Sequence, residues 1–137
     1  MCKNTHLFRL SVRVYYEDTD FSGVVYHARY LHFFERGRTE SLRECGVTHT
    51  ELLARPEPLV FAVRKMTTEW LVPARVDDLL DVRTSFAEVR GARMLLDQEI
   101  RRGDALLARA AVEAVCMSPA GKPRRLPADI LEAFRPR

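Results

Sequence analysis

Asp18, Asp20 and His27 place two carboxylates and an imidazole within ten residues, in the run Tyr15-Tyr16-Glu17-Asp18-Thr19-Asp20-Phe21-Ser22-Gly23-Val24-Val25-Tyr26-His27. A carboxylate in such a run can attack an electrophilic carbonyl, or take a proton from the water that does. A helix start beside it would add free backbone N–H groups and a partial positive charge of about half a unit, suited to a developing oxyanion. A nucleophilic serine is excluded, because neither Ser22 nor Ser41 sits in a GxSxG elbow. By residue type alone, Asp20 reads as readily as a loop or cap residue, and His27 as a satisfied structural histidine. Gly23 reads as permissive: it supplies a conformation or a close approach that a Cβ would block.

Chemistry at this run needs a strand before it and a helix after it, and the pattern supplies both. Phe8, Leu10, Val12 and Val14 alternate with Arg9, Ser11, Arg13 and Tyr15, which predicts a strand over Leu7–Tyr16. The stretch Glu17–Gly23 breaks it with loop and cap residues. From Val24 or Tyr26 to Cys45 the period becomes helical, with Tyr30, Phe33, Phe34, Gly37 and Ser41 on one face and Gly46 as the stop. Gly37 costs about 1 kcal/mol of helix propensity against alanine, which a close approach to a sheet would justify. Glu35–Arg38 and Arg36–Glu40 are spaced as helical ion pairs.

The rest reads as scaffold. A short helix is predicted over Thr48–Ala54 and strands over Leu59–Leu71, Leu79–Val89, Met94–Arg101 and Leu106–Met117, with turns at Gly91 and Gly103. In the second strand Phe61 and Val63 are expected on one face and Ala62, Met66 and Trp70 on the other. The alanines of the last strand would leave room for a helix on that sheet face. A final helix is predicted over Pro127–Phe134. The order β-α-β-β-β-β implies α+β architecture, a long central helix against a mainly antiparallel five-stranded sheet, in one domain over residues 1–137. Such a sheet leaves an edge or face to be covered by another copy.

Composition narrows the classes. The chain has 137 residues, 47% hydrophobic and 30% charged, with a net charge of +3. This describes a soluble globular chain long enough for a real core, and it does not imply nucleic acid. No apolar run approaches the roughly 20 residues of a membrane span. Three widely spaced cysteines, Cys2, Cys45 and Cys116, suggest reduced thiols and a cytoplasmic setting. No Cys/His spacing suggests a metal.

Tyr16-Glu17-Asp18-Thr19-Asp20, Gly23-Val24-Val25-Tyr26-His27, Tyr30-Leu31 and Phe34-Glu35-Arg36 with Arg38 resemble the signature of hotdog-fold acyl-CoA thioesterases. Phe61-Ala62-Val63-Arg64-Lys65-Met66 and Pro73-Ala74-Arg75 agree with it, and the likeness extends over nearly the whole chain. The nearer match is the Tol-Pal-associated branch, akin to 4-hydroxybenzoyl-CoA thioesterases. The resemblance implies that Asp20 is the catalytic carboxylate, as nucleophile or general base. It implies that His27 is an active-site histidine beside a backbone N–H that polarises the thioester carbonyl. Asp18 is then the structural acid, and Tyr26 a wall residue of the site along with Gly23.

Acyl-CoA is the implied substrate, and no separate cofactor is needed, since coenzyme A is part of it. Its phosphates call for basic residues at the rim; Arg64, Lys65, Arg90 and Arg93 are the candidates, followed by Arg124 and Arg125. Tyr30, Phe33, Phe61 and Met66 are candidates for the acyl pocket, with core packing the plainer reading. The resemblance implies a homo-oligomer, a dimer or a tetramer of hotdog dimers, and allows an acyl carrier protein as partner. Two other functions stay open: a binding module for acyl-CoA or acyl carrier protein, and a hotdog dehydratase. A binder has no need of the Asp20 carboxylate.

Overall fold

A computed structural model describes residues 7–134; Cys2, His6, Arg135 and Arg137 lie outside them. The elements are β1 (Phe8–Arg13), α1 (Arg29–Glu44), α2 (His49–Leu53), β2 (Val60–Trp70), β3 (Leu79–Arg90), β4 (Arg93–Arg102), β5 (Ala105–Met117) and α3 (Ala128–Phe134). The five strands form one antiparallel sheet in the order β1-β3-β4-β5-β2. Thus β3, β4 and β5 form a meander, with β1 and β2 added at its edges.

Alternation fixes which side of each strand faces inward. Val82, Thr84, Phe86, Met94, Leu96, Gln98 and Ile100 are buried, and α1 lies over them. Tyr30, Phe33, Phe34, Gly37 and Ser41 are all buried, as the helical period requires. Full burial of Phe33 and Phe34 contributes about 1.5–3 kcal/mol each. A Cβ on Gly37 would stand 2.8 Å from Val82 Cγ1, 3.1 Å from Thr84 Oγ1 and 3.2 Å from Gln98 Nε2. The glycine therefore lets the helix settle on β3 and β4, where Gln98 ties the layers together. Gln98 Nε2 donates to the Phe34 carbonyl and to Thr84 Oγ1, both at 2.9 Å, and Oε1 accepts from Arg38 Nη1 at 3.0 Å.

Several expectations are corrected. The long helix begins at Arg29, not at Val24 or Tyr26, because Val24 and Val25 are held extended by bridges to Arg75 and Thr19. The first strand's ladder stops at Arg13. Arg38 turns inward to Gln98, so the Glu35–Arg38 pair does not form; Glu35 accepts from Thr39 Oγ1 instead. Glu40 pairs with Arg43 rather than Arg36. In β2, an irregularity between Val63 and Lys65 inserts one residue. That flips the alternation, so Phe61, Val63, Met66 and Trp70 all share the helix-facing side. Cys45 is disulfide-bonded, which corrects the reduced-thiol expectation there; among the described cysteines that expectation holds for the buried, free Cys116.

The alanines of β5 do not receive α1, which lies across β1, β3 and β4. They leave space. A cavity of about 270 Å³ opens between the second half of α1, the start of α2 and the sheet. Leu42, Phe61, Phe86, Met94, Leu96 and Ala114 give it an apolar lining, with Glu35, Arg38, Thr39 and His49 on one side.

Candidate active site

The chain leaves β1 through Val14, whose backbone is paired with Asp77 and Asp78. It then tightens into a single 3₁₀ turn at Tyr16–Asp18. Asp18 closes that turn. Its carboxylate is buried, accepts the Tyr15 N–H at 2.8 Å and pairs with Arg29 Nε at 3.3 Å, while its carbonyl accepts the Tyr26 N–H at 3.0 Å. Asp18 thereby joins the turn to the first residue of α1 and has no oxygen directed to solvent chemistry.

Asp20 sits two residues on, at the base of a narrow loop. Its N–H donates to Val24 O at 2.8 Å, and its carbonyl accepts the Gly23 N–H at 3.1 Å. Gly23 has φ of +86° and open space where a Cβ would go; conformation, not crowding, calls for glycine. The Asp20 carboxylate is exposed. Oδ1 accepts two bonds from Ser22, from its hydroxyl at 2.6 Å and its N–H at 2.8 Å. The Ser22 hydroxyl, then the Ser22 N–H, hold Asp20 below the usual carboxylate range, with a smaller contribution from His27. Oδ2 accepts no hydrogen bond from the described residues.

A second clamp sets the loop against the helix start. Tyr30, on the first turn of α1, accepts the buried Ala74 N–H on its hydroxyl at 2.9 Å. Ala74 O in turn accepts the Val25 N–H at 2.8 Å. The Pro73-Ala74-Arg75 segment is thus the strut on which Val24–Tyr26 rests. Burial raises the Tyr30 phenol above its ordinary pKa, so the hydroxyl stays protonated.

After Tyr26 the chain turns into α1. The Arg29 N–H donates to Tyr26 O at 2.8 Å, and the Leu31 N–H to Ala28 O at 3.1 Å. No side chain caps this end. Among the described residues no acceptor meets the N–H of His27 or of Ala28, so two donors face outward at the helix's positive end. The His27 ring lies between Tyr26, at 4.5 Å between centroids, and Trp70, edge-on at 5.9 Å. Trp70 Nε1 donates to His27 O at 3.1 Å.

The sequence-derived residues therefore divide in two. Asp20, Gly23, Tyr26 and His27 converge on one junction. Arg64, Lys65, Arg90 and Arg93 lie at the other end of the sheet. Arg64 and Trp70 are six positions apart along β2, about 20 Å. Arg64 and Arg93 pair with Glu113, whose side chain is half-buried, and Arg90 pairs with Glu88 on exposed surface, where such a pair binds weakly. Arg124 pairs with Glu57. Tyr30 and Phe33 belong to the core, Met66 packs against it, and only Phe61 of that group lines the cavity.

Residue patterns alone left out Ser22, Ala74, Arg29 and Trp70. The Asp-x-Ser spacing is a local signal for the Ser22 turn. Trp70 and Ala74 lie 43 and 44 residues from their partners, and no local pattern points to them. Among the described residues no cluster of His, Cys, Asp or Glu is arranged to hold a metal. Among the described residues no helix is long and apolar enough to cross a membrane.

Comparison with known proteins bears on this junction. The profile of the thioesterase-like superfamily matches residues 14–134. The acyl-CoA thioester hydrolase YbgC of Escherichia coli O157:H7 is 48% identical over 134 residues, covering 96% of this chain and 98% of its own. The acyl-CoA thioesterase YbgC of Haemophilus influenzae is 46% identical over 128 residues, 93% of each. The crystal structure of a probable thioesterase from Bartonella henselae, 47% identical, superposes with a TM-score of 0.87 over 89% of this chain and all of that one. With that match over nearly its whole length, and with a five-stranded antiparallel sheet packed on one long helix, the chain belongs to the thioesterase-like superfamily of hotdog-fold proteins.

Proposed function

We propose that the chain hydrolyses acyl-CoA thioesters to the free acid and coenzyme A, with Asp20 as the reacting carboxylate. The observation that carries this reading is the one-sided engagement of Asp20. Ser22 occupies Oδ1 and holds the group ionised, and Oδ2 is left for chemistry. The relatives named as acyl-CoA thioester hydrolases support the same substrate class.

Two routes use the same atoms. In one, Oδ2 attacks the thioester carbon, the C–S bond breaks, and water then hydrolyses the mixed anhydride. In the other, Oδ2 takes a proton from water as its oxygen attacks, and that proton passes to the departing thiolate. In both, negative charge develops on the thioester oxygen, and the N–H groups at the start of α1 receive it. A thiolate leaves readily, so no strong acid is required at the sulfur. His27 and Tyr26 contact the substrate, and Gly23 keeps the loop in shape.

A second copy of the chain completes the site in this reading. β2 is an edge strand with an unpaired side, and Val63, Trp70, Leu71 and Val72 are exposed along and just after it. Antiparallel pairing of two β2 edges brings the Arg64 end of one copy toward the Trp70 end of the other. That pairing would carry Arg64 and Lys65, and the Phe61 mouth of the 270 Å³ cavity, toward the neighbour's His27. The cavity then takes the acyl group, and Arg64, Lys65, Arg90 and Arg93 take the phosphates. Higher assembly to a tetramer, an acyl carrier protein as alternative donor, membership of the Tol-Pal branch and a cytoplasmic setting, where coenzyme A thioesters are made, extend the same proposal.

The test is Asp20→Asn in a thiol-release assay across acyl-CoA chain lengths. Loss of the carboxylate lowers the rate by about 10²–10⁴-fold, with unfolding midpoint and oligomeric state unchanged. A variant that keeps its full rate sinks the carboxylate mechanism.

A further inference from the structure

We infer that Trp70 is a positioning residue for the thioester reaction: its indole N–H fixes and polarises the His27–Ala28 peptide, whose N–H meets the developing oxyanion. The inference rests on the hydrolase reading above and adds a residue to it.

The geometry starts from an irregular first turn. In a regular helix the His27 carbonyl would accept the N–H of Leu31. Here the Leu31 N–H bonds Ala28 O at 3.1 Å, and the Arg29 N–H bonds Tyr26 O at 2.8 Å. The His27 carbonyl would therefore lack a backbone donor, and Trp70 Nε1 supplies one at 3.1 Å. Trp70 comes from the last position of β2, opposite the fully buried Ala108. The inserted residue upstream in β2 is what puts its ring on the helix-facing side.

The peptide between His27 and Ala28 is planar and trans. Its C=O and N–H point in opposite directions, so holding the carbonyl on Trp70 holds the Ala28 N–H outward beyond the helix end. No acceptor among the described residues meets that N–H. A hydrogen bond accepted by the carbonyl also draws electron density through the amide and strengthens donation from its N–H. The same indole lies edge-on to the His27 ring at 5.9 Å, so one side chain fixes both the imidazole and the peptide beside it.

The sequence makes the test clean, because it contains one tryptophan. Biosynthetic replacement with β-(3-benzothienyl)alanine keeps the bicyclic shape and deletes only the N–H. The expected result is a fall in kcat of about tenfold, a fraction of the loss seen when an oxyanion donor is removed outright, with KM within about twofold and the unfolding midpoint retained. Ring-fluorinated tryptophans, which keep the N–H and raise its acidity, fold as the parent does, and their kcat rises in order of that acidity. A benzothienyl form with unchanged kcat, or a fluorinated series with flat kcat, overturns the inference while the Asp20 mechanism stands. A readout without turnover separates the two claims further. In the intact protein, the His27 carbonyl carbon and Ala28 amide resonances shift on deletion of the indole N–H; if neither moves, Trp70 does not polarise this peptide.

Discussion

Gly37→Ala is the sharpest probe of how the helix meets the sheet. The new methyl arrives 2.8 Å from Val82 Cγ1, 3.1 Å from Thr84 Oγ1 and 3.2 Å from Gln98 Nε2. Val82, Thr84 and Gln98 are all buried to within 1%, and none is a flexible chain end in open space. Overpacking of this kind costs about 1–3 kcal/mol. Displacing Gln98 Nε2 from the Phe34 carbonyl and Thr84 Oγ1 leaves buried polar groups short of partners, a further 1–3 kcal/mol or so. Alanine's better helix propensity returns about 1 kcal/mol. The balance is a loss near 3 kcal/mol, about 12 °C in Tm at roughly 4 °C per kcal/mol for a chain of this size. Urea and thermal unfolding measure it. Val82→Ala on the Gly37→Ala background relieves the shortest contact, so the double variant is more stable than the sum of the single effects predicts. A Gly37→Ala protein as stable as the parent, or more stable by its propensity gain, refutes the close-approach account.

Ser22→Ala removes the hydroxyl bond to Asp20 Oδ1 and leaves the N–H bond. In the proposed mechanism Asp20 acts ionised, so activity disappears as pH falls through its lowered pKa; the variant moves the acid limb of kcat/KM to higher pH and leaves the alkaline plateau in place. An unmoved limb means that Ser22 does not set the ionisation that matters. Tyr30→Phe strands the buried Ala74 N–H at a cost of about 1–3 kcal/mol, and it lowers kcat because Ala74 holds Val25. Loss of activity with full stability would show the strut to be irrelevant to the fold. Sedimentation at micromolar concentration gives a dimer or larger; a monomer that turns over at full rate removes the two-copy site.

The order of elements was legible because burial enforces period. The inward residues of β3 from Leu80 to Phe86 and those of β4 lie where alternation puts them, until an irregularity between Phe86 and Glu88 shifts the period and turns Val89 inward, and the α1 stripe from Tyr30 to Ser41 follows the 3.6 repeat. Failures occurred where long-range contacts override local pattern. Val24 and Val25 would join a helix by period, but Ala74 and Arg75 recruit them into bridges. A single inserted residue in β2 reversed the predicted faces on which Met66 and Trp70 should lie. Arg38 has the spacing of a surface ion pair, yet it satisfies Gln98. At the site, Asp20 and His27 were visible as residue types near a glycine. Their supports Tyr30, Ala74 and Trp70 were not, because a side chain reaching over forty residues leaves no local trace.

The sheet order has a kinetic consequence. The central strands β3, β4 and β5 are joined by turns of a few residues, and closing such loops is fast. β1 must find β3 across some seventy residues, with Phe8 opposite Thr84, and β2 must find β5 across more than thirty, with Trp70 opposite Ala108. On loop-closure grounds the central hairpins form first and the two edges arrive last. The Asp20 loop hangs from β1, and the His27 peptide is held by the end of β2. The junction proposed to be reactive is therefore assembled by the two latest events in folding, and a chain with only its middle strands complete does not yet have it.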